Sequence, residues 1–186
     1  MSAIHLRLIF MTVRGSWKKL RGAPAYFLQK MAKHCQYSEV LFEEALHHSR
    51  NGTLLRNTIV DNFSDISKYK NESFESVFAD VYRVCKPIRG LGMLTTYDLS
   101  SSICRKHGKN IDRVYIIGNG PKRAVKLLKL TPKLQRIGGV VTLHYVEIAD
   151  IVAAFDKGGY KLDDTIRTTK NGDMVESFIC NWQKGI

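Results

Sequence analysis

Between Arg105 and Arg136 a single carboxylate, Asp112, stands among ten cations: Arg105, Lys106, Lys109, Arg113, Lys122, Arg123, Lys126, Lys129, Lys133 and Arg136. That stretch holds +9 of the net +12 of the 186-residue chain. It is either a solvated basic face or a surface for a polyanion, and its place beside a glycine turn favours nucleic acid. The turn lies in "KPIRGLGMLTTYD", Lys86 to Asp98, where Gly90 and Gly92 flank Leu91. Glycine permits positive φ and lets backbone amides approach a ligand with no Cβ in the way. With Leu91 tucked into the core, amides at Gly90, Gly92 and Met93 would point at a phosphate lying at the N-terminus of the next helix. Such a turn would grip a phosphate backbone and bring a carboxylate to a nucleotide. The alternatives are that the glycines only make a tight helix–helix turn and that Asp112 only caps a helix after the Gly108 stop.

The elements that must position these residues read as helices. "PAYFLQKMAKHC" and "SEVLFEEALHHSRNG" carry apolar residues at helical intervals, with Pro24 and Ser38 as starts and Asn51-Gly52 as a stop. "TLLRNTIVDNF" is a third, weaker helix. Ser73 opens "SFESVFADVYRVCKP", whose Phe74, Val77, Phe78, Val81, Tyr82 and Cys85 share one face. After the turn, "LTTYDLSSSICRKHG" resumes the helical period. "IDRVYIIGNG" suits a buried strand or a short helix equally, and Gly138–Leu143 resembles a strand without visible partners. "PKRAVKLLKL" is an amphipathic helix with Lys122, Lys126 and Lys129 on one side. "HYVEIADIVAAFDKGG" reads as a further helix, and Asp173 is placed to cap a last one.

"PIRGLGMLTTYDLSSSI", with the apolar helix before it, resembles the helix-hairpin-helix element of the DNA glycosylase superfamily, and the resemblance spans about residues 73–130. It implies an all-α fold of two helical lobes with a DNA cleft between them. The chain then forms one domain, 1–186, in which the flanking N- and C-terminal helices build the second lobe. Base-excision members place a catalytic Asp about twenty residues past the hairpin in an apolar-Asp motif; Ile111-Asp112 stands in that place. The resemblance therefore implies a monofunctional DNA glycosylase acting on duplex DNA. Asp112 would stabilise the oxocarbenium-like sugar and orient or deprotonate water. Gly90, Leu91, Gly92, Met93 and Thr95 would supply the hairpin contacts to the backbone, and Lys122, Arg123 and Lys126 would assist. The members that also cut the strand carry a lysine where Leu94 stands here, so no lyase step is implied. Val114 occupies the place of a histidine frequent in the motif, and no four-cysteine cluster supplies an iron–sulfur site. A non-catalytic helix-hairpin-helix nucleic-acid-binding protein is the alternative.

The remaining candidates carry less. Glu44 and His48 share a helix face but two ligands do not close a metal site, so neither metal nor cofactor is expected. "GNGPKRA" lacks the Gly-Lys-Ser/Thr ending of a nucleotide loop, yet offers amides and Lys122 to a phosphate. Tyr97, Tyr115 and Trp182 suit a base pocket but suit a core better. Four scattered cysteines and an apolar N-terminal stretch too short to span a bilayer fit a cytoplasmic, globular protein with reduced thiols. No membrane association and no obligatory protein partner is expected.

Overall fold

The computed structural model describes residues 52–185, and the two helices expected upstream, with their histidine and glutamate pairs, lie outside them. The described chain is not all-α. Seven helices accompany a three-stranded antiparallel sheet, which overturns the two-lobed helical architecture expected from the hairpin motif.

The sheet comes from the stretches that periodicity left open. β1 (Arg113–Tyr115) pairs with β3 (Val141–Glu147), and β3 pairs with β2 (Lys133–Ile137), in the order β1-β3-β2. Gly138 and Gly139 take φ of 49° and 70°, and Val140 N–H donates to Ile137 O, so two glycines turn the β2–β3 hairpin. Each strand side faces a different core. Val114 and Ile116 enter one apolar cluster, while Tyr115 and Ile117 enter the other.

Helices cover both faces. On one side lie α1 (Gly52–Phe63), a 3₁₀ turn at Ser67–Tyr69, α2 (Phe74–Cys85) and α3 (Met93–Lys106), with Phe63, Phe78, Leu99 and Ile103 fully buried beneath the sheet residues Tyr115 and Leu143. On the other lie α4 (Asn119–Leu127), α5 (Ile148–Gly158), the short α6 (Asp164–Thr168) and α7 (Gly172–Trp182), packed through Val125, Ile151, Phe155 and Ile179. Burying one such side chain contributes roughly 1.5–3 kcal/mol, so each face has its own hydrophobic anchor.

Local signals explain the ends. Ser73 Oγ accepts from Ser76 N–H as the α2 N-cap, as its place in the sequence predicts. Asn171, rather than Asp173, caps α7 by accepting from Asp173 N–H. Glu147 ends β3 and starts α5 without a break, so the single helix expected from "HYVEIADIVAAFDKGG" begins with four residues of strand. His107 and Lys109 tie the end of α3 to backbone carbonyls of Ile66, Tyr69 and Glu72.

Candidate nucleic-acid interface

α2 and α3 pack against each other, and the turn between them keeps its expected shape at the glycines. Gly90 takes φ 103°, a value that a Cβ disfavours, and Gly92 is the extended N-cap of α3. Leu91 tucks into the core at 5% exposure. Its amide is spent internally, donating to Ile88 O at 3.1 Å, so Leu91 does not offer a donor to a ligand. The donors left open toward the cleft are those of Met93 and Leu94 in the first turn of α3, because no side chain caps this terminus.

A second helix N-terminus meets the first. β1 runs on through Ile116 and Ile117 into Gly118, the N-cap of α4, which takes φ 85° and ψ 179° with no side-chain cap. That backbone region is almost confined to glycine, and a Cβ there would also come within 2.9 Å of Leu94 Cδ2. Gly118 thus lets the α4 N-terminus close on that of α3. Between them opens a cleft of about 520 Å³ lined by Gly92, Met93, Leu94, Gly118, Asn119 and Lys122, with Thr142 and His144 of β3 on its far wall. None of its lining residues is acidic. Two helix dipoles, open first-turn amides and a lysine ammonium all favour an anion there, and phosphate has the size and acceptors to use them.

Gly92, Met93 and Lys122 are thus the expected backbone-binding residues that the structure brings together. Arg123 and Lys126 are exposed on the same helix outside the cleft, so they extend its positive field along α4. The Thr95 side chain is fully buried, and Gly90 is exposed on the turn. Sequence reasoning missed Leu94, Thr142 and His144, and named Asn119 only as part of a stretch offering amides. The signal was "GNGPK", whose two glycines stand at a strand-to-helix junction.

Asp112 lies elsewhere. It precedes β1, at the opposite end of that strand from Gly118, and lines a different cleft with Ile148, Val152, Asp156, Arg167 and Lys170. Six extended steps along the chain carry it to Gly118, a span on the order of 20 Å. Its side chain is 73% exposed and 3.9 Å from Arg113, and it caps no helix. Arg113 in turn donates to Gln135 and lies over the Tyr145 ring.

Other chemistries find little here. Burial pushes the Cys85 and Cys104 thiols up to about 11, which keeps them protonated and poor nucleophiles. Tyr97 and Tyr115 are core residues, and the Tyr115 hydroxyl lies 2.7 Å from Glu75 Oε1 and 2.9 Å from Gln135 Oε1. The Lys109 ammonium is held by two carbonyls. Among the described residues no three His, Cys, Asp or Glu gather as a metal site, and no helix is long and apolar enough to cross a membrane.

No family model, curated protein or solved structure matches the chain.

Proposed function

We propose that this protein binds nucleic acid through its phosphate backbone, seating one phosphate between the N-termini of α3 and α4. The observation that carries the reading is the convergence of two glycine-led, uncapped helix ends and Lys122 on one acid-free cleft. The helix-hairpin-helix resemblance supports it from the α2–α3 side, and the +9 stretch supplies the surrounding field. Backbone contacts of this kind give affinity and position without reading sequence.

Lys122→Ala tests the reading by fluorescence anisotropy across a salt series. The expected result is weaker binding to every nucleic acid tried and a fall of about one in the slope of log K against log salt. An unchanged slope would sink the reading. Base excision on duplex DNA is the rival. It requires Asp112 within one nucleotide of the held phosphate, and the separation of the two clefts favours binding alone. Asp112→Asn is therefore expected to leave affinity unchanged, with no release of free base from modified-base duplexes by either form. Base release by the parent protein that Asp112→Asn abolishes would restore the enzymatic reading.

A further inference from the structure

Beside the phosphate cleft, part of the sheet has no helix over it. The register pairs Leu134 with His144 and Arg136 with Thr142, so these four side chains share a sheet face. It is the face opposite that of Tyr145, Leu143 and Val141, which enter the α1–α3 core. On β1 the same face is sealed, because Val114 and Ile116 pack beneath α4–α7. On β2 and the adjoining part of β3 it is open: Leu134, Arg136, Thr142 and His144 are all exposed, Leu134 at 64%. Thr142 and His144 also line the cleft, which makes the patch continuous with it.

Resting on the backbone-binding reading above, we propose that the nucleic acid held here is unpaired, with the base next to the seated phosphate lying on Leu134 and His144. Two strands about 4.8 Å apart, over a two-residue step of about 7 Å, offer the footprint of one base. An apolar side chain and an imidazole give that base a face to lie on and a hydrogen-bonding group at its edge. Lys122 and Arg136 bracket the patch, and no acid lies among its residues, so the charge suits a strand crossing from cleft to sheet. A duplex offers its bases to a protein only edge-on, within the grooves, whereas an unpaired strand can turn a base away from its backbone and lay its ring on the patch.

The test uses the full chain with labelled oligothymidylate, oligouridylate and a duplex of equal phosphate count at fixed salt. Both single strands are expected to bind more tightly than the duplex. Leu134→Trp, at an exposed position, supplies a stacking ring and is expected to tighten single-strand binding about tenfold while leaving the duplex unchanged. Equal or tighter duplex binding by the parent, or a Leu134→Trp effect that is absent or shared by the duplex, overturns the placement of the base. Lys122→Ala in parallel separates the two claims. If it weakens all three ligands while Leu134→Trp changes none, only the unpaired-strand proposal fails; if it weakens none, the backbone reading fails and takes this proposal with it.

Discussion

Gly172→Ala is expected to cost this fold about 3 kcal/mol or more, a large share of the 5–15 kcal/mol that holds a domain together. Gly172 is the first residue of α7, and its N–H donates to Ile111 O just ahead of β1. The helix end therefore rests directly on the strand's backbone. A Cβ at 172 would overlap the main-chain carbonyl of Arg113 and crowd that of Ile111. Side chains can swing away from a new methyl, but a strand carbonyl cannot move without loosening its ladder. Here β1 pairs with β3 from Arg113↔Glu147 to Tyr115↔Tyr145, so any retreat unpairs an edge of the sheet. The loss would be cooperative, because Val175 and Ile179 of α7 are fully buried in the same cluster as Val114. Urea titration followed by circular dichroism measures it. A midpoint equal to that of the parent would mean that α7 does not seat on β1 in this way.

The same strand explains what was legible in the sequence and what was not. α2 and α3 were readable because their apolar residues recur over 12 and 14 residues, and the turn was readable because only glycines make it comfortably. β1 has three residues, too few for any period to show. β3 does alternate, with Val141, Leu143 and Tyr145 inward and Thr142 and His144 outward, but its end runs straight into α5 and a helical period swallowed it. Gly138-Gly139 was the hairpin signal that would have given both strands their partner.

The stretch whose period suits strand and helix equally is the one that decides where Asp112 lies. Read as helix, the six steps from Asp112 to Gly118 rise about 9 Å, which would keep the carboxylate near the hairpin amides. Drawn out as strand they cover about twice as far and deliver the two residues to opposite ends of the sheet. The glycine turn keeps its neighbour, because the α4 N-terminus sits at the near end of the strand. The carboxylate does not, and a chemistry that needs both in one groove loses its geometry.

The stability of the protein is expected to fall as pH rises toward and through 8, and Glu176 is the cause. On α7 its carboxyl is pushed up to about 8 from an ordinary 4.5, first by burial and then by the Asp173 and Asp98 carboxylates. Asp173 is paired with Arg105, which draws off part of the local negative charge, and Cys180 and Tyr97 complete the titratable surroundings. Because the folded value is raised, the native state keeps a proton that the unfolded chain releases between 4.5 and 8. The stabilisation is complete below 4.5 and is lost as pH climbs through 8. At about 1.4 kcal/mol per pH unit the full span sets a ceiling near 5 kcal/mol, and partial solvent access brings the expected loss to roughly 2–3 kcal/mol. Glu176→Gln keeps the shape and cannot ionise. Its urea midpoint is expected to match the parent's at the acid end of this window and to exceed it above pH 8, so the difference between the two curves isolates this group. Parallel curves across the window would show that burial and the Asp173 and Asp98 carboxylates do not hold the Glu176 carboxyl protonated in the native protein.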